Sequence, residues 1–111
     1  MKKSLLAFIG MVFILAACGG DTTTPAPERL QPADITLPDT YDAESAQEAY
    51  KRSCAACHGV NLQGGGAFPQ PITGISKEEM YIAIVQGVGV MPANLVTGED
   101  AENLAVWISK Q

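Results

Sequence analysis

Cys54-Ala55-Ala56-Cys57-His58 is the stretch from which the fold of this chain follows. It has the form C-x-x-C-H, the attachment signature of a c-type haem. Helix positions three apart share one face at about 5–6 Å, so both thiols can reach neighbouring vinyl groups of one porphyrin. His58 shares that face, which lets its imidazole approach the iron from the same side. The motif therefore predicts one haem c, held covalently by two thioethers, with His58 as an iron ligand.

Two other chemistries use a C-x-x-C pair. A thioredoxin-like thiol pair belongs in a βαβ pattern, which is not visible around this motif. A zinc site needs further Cys or His ligands, and His58 is the only histidine in the chain. Haem attachment is favoured, with a colourless thiol-redox module as an alternative.

The N-terminus predicts export. Lys2 and Lys3 precede a short apolar stretch, as in a secretory signal, and a membrane span would need about 20 apolar residues. The stretch ends in Leu15-Ala16-Ala17-Cys18-Gly19, which is similar to a bacterial lipobox. We expect residues 1–17 to be a lipoprotein signal peptide and Cys18 to be lipidated. An ordinary signal with an incidental cysteine and an uncleaved anchor are the alternatives, and either would still place the domain outside the cytoplasmic membrane.

All three cysteines are then assigned, two to haem and one to lipid, and none is left for a disulfide. Without residues 1–17 the chain keeps five basic and twelve acidic side chains, a net charge of −7. This charge argues against binding nucleic acid and against electrostatic adhesion to anionic lipid. Membrane attachment then depends on the acyl chains, and a partner protein with a basic patch is favoured.

Residues 18–41 are predicted to be the lipidated N-terminus and a flexible tether, because they are rich in proline and threonine. A coil of this length has a root-mean-square span of roughly 25–30 Å. Leu30, Ile35 and Leu37 leave open the alternative that this segment packs on the domain.

Residues 42–111 predict an all-α domain with three main helices and no strand. Asp42 is the expected N-cap of the first helix, which should end around His58-Gly59 with Gly59 as a left-handed C-cap. In the following loop, Gly64-Gly65-Gly66 are expected to let the backbone pass close to the flat haem ring.

The second and third helices have clear start signals. Ser76 and Glu79 form a capping box, and this helix should end at Gly87. The third should start after Thr97. The expected inward-facing residues are Tyr81, Ile84 and Val85 on the second helix and Ala101, Leu104, Ala105 and Ile108 on the third.

The sixth iron ligand is expected to be a methionine, because the chain has no second histidine. Met80 lies within a predicted helix and is more typical of core. Met91 lies in a glycine-rich loop just before Pro92, where its thioether can face the iron, and Met/His ligation raises the reduction potential. Met91 is therefore the predicted ligand, with a pocket-filling role as the alternative.

From Asp42 onward the chain resembles the class I cytochromes c, and more narrowly the small membrane-anchored lipoprotein cytochromes c of Gram-positive bacteria. The C-x-x-C-H motif, the Val90-Met91-Pro92 turn and the lipobox carry this resemblance. It implies a small monohaem fold in which three main helices pack around one covalently attached haem.

The family's crossing of its first and last helices has counterparts in four residues of this chain, Ala46, Tyr50, Leu104 and Trp107. The family usually has glycine where Ala46 stands, so a slightly wider crossing is expected. It also has a proline whose carbonyl accepts a hydrogen bond from the ligand histidine. Pro69 is the preferred counterpart and Pro71 the alternative.

The resemblance implies an electron carrier rather than an enzyme, cycling haem iron between Fe(III) and Fe(II) on the extracytoplasmic face of the cell membrane. A quinol-oxidising complex would be the donor and a terminal oxidase the acceptor. The alternative is a haem-based gas sensor or a peroxidase-like enzyme with a labile sixth ligand. A peroxidase would want a distal acid–base group, and residues 87–95 offer no convincing candidate.

Overall fold

The computed structural model describes residues 25–111, which form a short 3₁₀ turn, Pro32–Asp34, and four helices: α1 (Ala43–Ser53), α2 (Ala55–His58), α3 (Lys77–Gln86) and α4 (Gly98–Ser109). Apart from two isolated β-bridges in loops, no strand occurs in this range. The predicted all-α class is confirmed. No helix within residues 25–111 is long and apolar enough to cross a membrane. The predicted signal peptide and Cys18 lie outside the described residues.

The predicted first helix is divided at Cys54, which corrects the expectation of one helix reaching His58. Asp42 caps α1 as predicted, accepting a hydrogen bond from the Ser45 N–H at 2.9 Å. Cys54 leaves helical geometry with φ −124° and ψ −35°. Gly59 has the expected positive φ of 79°, but its ψ of 157° is not that of a left-handed C-cap.

A hydrogen bond across the bend depends on this change of direction. The Tyr50 hydroxyl donates to the Gly59 carbonyl at 2.6 Å. Nine residues of a straight α-helix rise about 13.5 Å, and helical side chains lean toward the N-terminus, so Tyr50 could not reach Gly59 without a bend. The change of direction at Cys54 makes this contact possible.

The core lies where α1 crosses α4. Ala46 on α1 and Ala101, Leu104 and Ala105 on α4 have no exposed surface. The stripe predicted for α4 is therefore confirmed, and alanine at position 46 fits a closed crossing. Beside it, the rings of Tyr50 and Trp107 lie 5.7 Å apart at 57°, a favourable aromatic geometry. Trp107 thus has a core role.

Helix α3 begins with the predicted capping box, in which the Ser76 side chain accepts from the Glu79 N–H. Its buried residues are Met80, Ile82 and Ile84, whereas Tyr81 and Val85 are only partly buried against the core. The prediction of an inward-facing residue was therefore correct for Ile84, but it missed Met80 and Ile82. The reason is that α3 is covered on two sides.

The second side of α3 is covered by the segment 28–39, which we call the strap. Leu37 is buried in the core, Ile35 packs against it, and the 3₁₀ turn contacts α3. Lys77 donates to the carbonyls of Leu37 and Pro38 and pairs with Asp39 at 2.6 Å. The alternative left open by the sequence, a segment packed on the domain, is the one found for this stretch.

Candidate functional site

The C-x-x-C-H motif begins at the bend, where Cys54 precedes α2, and its other four residues form the single turn of α2. Its two cysteines differ in exposure, since Cys54 is buried and Cys57 is exposed. Burial, and then the neighbouring Cys57, raises the pKa of the Cys54 thiol to about 11. Reactive redox cysteines have a lowered pKa because the thiolate is the nucleophile. Cys54 itself is therefore a poor nucleophile.

The loop 59–75 is fastened to the carbonyl groups of this turn. The Gly64 N–H donates to the His58 carbonyl at 2.9 Å, and the Phe68 N–H donates to the Cys57 carbonyl at 3.2 Å. The loop returns to the core through Leu62 and Ile72, both buried and joined by a 3.0 Å backbone hydrogen bond. These bonds hold the motif in one conformation relative to the core.

The glycines of this loop allow close contacts between backbone segments, and their expected approach to the haem ring stays a prediction. A side chain on Gly64 would overlap the backbone of Pro69, and one on Gly66 would overlap the Ala56 carbonyl. Both also have a positive φ. The backbone that these glycines approach is thus that of the loop itself and of α2.

Phe68 is a site residue that sequence analysis missed. Its ring meets the His58 imidazole edge-on, with centroids 5.0 Å apart. This contact limits the orientations of the imidazole. Phe68 lies ten residues beyond the motif in a loop without periodicity, so no sequence signal pointed to it.

The His58 imidazole is prepared to act as a neutral ligand. Burial lowers its pKa, and neutral imidazole is the form that binds metals. Its Nδ1 is buried without a hydrogen-bond partner. Ligand histidines usually donate their second N–H to a carbonyl, carboxylate or water. No such bond from His58 to Pro69 or Pro71 is present in this structure, and the Pro69 assignment stays a prediction.

Met91 lies in the loop between α3 and α4, half-buried against the same core that contains Cys54. Its N–H donates to the Val88 carbonyl at 2.9 Å, which closes a tight turn. The Asn94 N–H bonds the Ile84 carbonyl at 3.0 Å and fastens the loop to α3. Met80 is buried in the core, as expected for a methionine with a packing role.

Exposed apolar side chains are concentrated in the two loops that carry the site. The larger ones are Val60 and Phe68 in the first loop and Val88, Val90 and Leu95 in the second. No cluster of three or more His, Cys, Asp or Glu residues suited to a metal ion occurs within residues 25–111. Two thiols three apart, a half-buried imidazole, a thioether and apolar loops fit a haem better than a hydrated metal ion.

Comparison with known proteins agrees with this donor set. Residues 42–108 match the family model described as "Cytochrome C oxidase, cbb3-type, subunit III". Together with the all-α fold and the C-x-x-C-H turn, this match defines the class as class I cytochromes c. The chain belongs to this cytochrome c family, and it carries haem c, attached covalently, as an electron carrier rather than as an enzyme.

Three relatives extend the comparison. Cytochrome c-551 of Bacillus subtilis is 31% identical over the whole chain and 99% of its own length. Cytochrome c-550 of the same organism is 31% identical over 92% of the chain and 85% of its own length. The menaquinol:cytochrome c reductase cytochrome c subunit of Bacillus subtilis is 40% identical over 62% of the chain, which spans 30% of that subunit.

Proposed function

We propose that this chain is a membrane-tethered electron carrier of an extracytoplasmic respiratory chain, with His58 and Met91 as the two axial ligands of its haem iron. The observation that carries the ligand set is that Cys54 and Met91 meet one hydrophobic core, Cys54 from the bend before α2 and Met91 from the loop after α3. When bound, the haem supplies a one-electron Fe(III)/Fe(II) couple.

The residues around the site suit an electron carrier because they resist rearrangement. The turn with His58 is fastened by the Gly64 and Phe68 amides, and the loop with Met91 is fastened to α3 by the Asn94 amide. His58 and Met91 would hold the iron from both sides and would leave no open position for a substrate. Residues 87–95 contain no ionisable side chain, so this loop offers no distal acid or base to a peroxidase.

The proposed partners follow from relatives and charge. A relative named as the cytochrome c subunit of menaquinol:cytochrome c reductase supports a quinol-oxidising complex as donor. The family description, a cytochrome c oxidase subunit, supports a terminal oxidase as acceptor. The acidic chain favours docking sites with a basic surface on both, and association should slow as salt is added.

Lipidation of Cys18 is the proposed means of membrane attachment. With Cys18→Ala we expect the protein to leave the membrane fraction and to keep its haem, since the acyl chains would be lost and the haem cysteines retained. Fractionation followed by haem staining measures both. Retention of the variant in the membrane fraction would instead indicate an uncleaved signal as the anchor.

An optical titration tests the ligand set. Ferric and dithionite-reduced spectra are recorded for the holoprotein, and carbon monoxide is then added to the reduced form. A c-type spectrum that carbon monoxide leaves unchanged supports two bound axial ligands. Met91→Ala should then bind carbon monoxide readily, with Met80→Leu as the matched methionine control. A prompt shift in the wild type would favour the gas sensor or peroxidase, and absence of any haem spectrum would favour the thiol module.

A further inference from the structure

The strap is fastened to α3 at both ends, and its first end is the one that concerns the site. The Gln86 side chain accepts from the Leu30 N–H at 3.0 Å and donates to the Glu28 carbonyl at 3.4 Å. One residue further, the Arg29 guanidinium donates to the Gly87 carbonyl at 3.2 Å. The strap therefore contacts the point at which α3 ends and the Met91 loop begins.

Gly87 is in direct contact with the part of the loop that carries Met91. It is buried with a positive φ of 72°, and a side chain there would overlap the Met91 carbonyl and crowd the backbone of Pro92 and Ala93. A displacement of the Gly87 peptide would consequently move the backbone that presents the thioether. The Arg29 hydrogen bond restrains this peptide from the strap side.

Charge strengthens this contact. The last carbonyl groups of a helix carry partial negative charge, so a guanidinium there is favoured by the helix dipole as well as by the hydrogen bond. A charged donor also gives a stronger hydrogen bond than a neutral one. No acidic side chain forms a salt bridge with Arg29 in the described residues.

We propose that Arg29 is a positioning residue for the axial methionine: through Gly87, it holds the Met91 loop closed and keeps the thioether on the iron. The proposal rests on the ligand set proposed above. In this proposal the strap helps to position the methionine ligand, in addition to covering α3.

Hydrogen exchange tests the restraint directly. In Arg29→Ala holoprotein, the Met91 and Asn94 amides should exchange about fivefold faster, because their bonds break when the loop opens. The Leu104 amide, in the middle of α4, should stay within about twofold of the wild type. Arg29→Lys, which keeps a charged donor, should fall between. Equal acceleration at Leu104 would mean general destabilisation and would overturn the positioning role.

Ligand replacement tests the consequence for the iron. Cyanide added to the ferric protein replaces a thioether without electron transfer, at a rate limited by opening of the loop. We expect Arg29→Ala to react about fivefold faster than the wild type, in proportion to the exchange result. Arg52→Ala is the matched control, since it removes an exposed arginine of α1 that makes no side-chain hydrogen bond in the described structure.

The two proposals fail in different ways. The ferric wild type should show the weak long-wavelength absorption band of thioether-ligated haem. Its absence would overturn the Met91 ligand and the positioning role together. Its presence, with unchanged cyanide kinetics in Arg29→Ala, would overturn the positioning role alone, as would an equal effect of Arg52→Ala.

Discussion

The crossing of α1 and α4 and the loop 87–97 differ in what covers their apolar side chains. At the crossing, Ala46, Ala101 and Leu104 have no exposed surface, because each helix covers the other. In the loop, Val88 is 51% exposed and Val90 is 96% exposed. Burial of apolar surface is the main favourable term in folding, and these valines contribute little to it.

The two regions also differ in how their backbone is held. The helices satisfy their own amides, whereas the loops depend on single bonds such as Met91 to Val88 and Phe68 to Cys57. The helices are thus stabilised by packing against each other, whereas the exposed apolar side chains of the loops are suited to contact the haem. A domain of this size gains considerable apolar contact from such a group.

The largest expected effect is the loss of covalently attached haem. Replacing Cys54 and Cys57 together by serine should abolish covalent haem retention, because serine forms no thioether with a vinyl group. Haem staining after denaturing electrophoresis measures the loss, and Cys18→Ala is the matched cysteine control. Full staining of the double variant would disprove attachment at this motif.

The next effect belongs to the helix crossing. Leu104→Ala should lower the free energy of unfolding by about 2–5 kcal/mol, because it leaves a cavity at a fully buried position. Urea unfolding of the holoprotein measures this change. Glu48→Ala, on the exposed side of α1, should stay within about 0.5 kcal/mol of the wild type. A small loss at Leu104 would mean that the crossing is not the stabilising core.

A smaller effect is expected where the crossing is joined to the loop 59–75. Tyr50→Phe should cost about 1–2 kcal/mol, because the Gly59 carbonyl loses its hydroxyl donor. Tyr41→Phe is the control, since Tyr41 is exposed and its hydroxyl makes no hydrogen bond in the described structure. Equal urea midpoints for the two variants would show that the bend at Cys54 does not depend on this bond.

Tyr50 also makes the stability of the fold depend on pH. Burial raises the pKa of the Tyr50 hydroxyl above its usual value of 10.0. The folded state then holds this proton more tightly than the unfolded state, so its contribution to stability is complete below pH 10 and is lost as pH rises through the raised pKa. Unfolding measured across this range should show a steeper alkaline loss in the wild type than in Tyr50→Phe.

The smallest effect is expected at the far end of the strap. Lys77 lowers the pKa of the exposed Asp39 carboxyl by hydrogen bond and by charge, so the pair is weakened as pH falls through that pKa. Exposed pairs contribute little to stability, so Asp39→Asn should leave the urea midpoint unchanged within error. Lys77→Met also removes two donors to strap carbonyls and should have the larger effect. The reverse order would contradict the contacts described for the strap.

Local signals were sufficient for much of the fold. Asp42 and the Ser76–Glu79 box cap their helices as predicted, and the stripe on α4 is buried throughout. These features depend on neighbours three or four residues away, which sequence spacing describes directly. The bend at Cys54 could not be predicted in this way, because no helix breaker precedes it and the hydrogen bond that accompanies it spans nine residues.

The sequence by itself determined the haem chemistry, the helical class and the candidate ligand loop, because each depends on residue type and short spacing. Tertiary structure alone decided that Phe68 meets the His58 ring, that α3 is covered on two sides, and that Arg29 reaches the base of the Met91 loop. The Arg29 contact joins residues 58 positions apart. Such contacts form only when the helices pack and bring distant loops together, and no local pattern encodes that meeting.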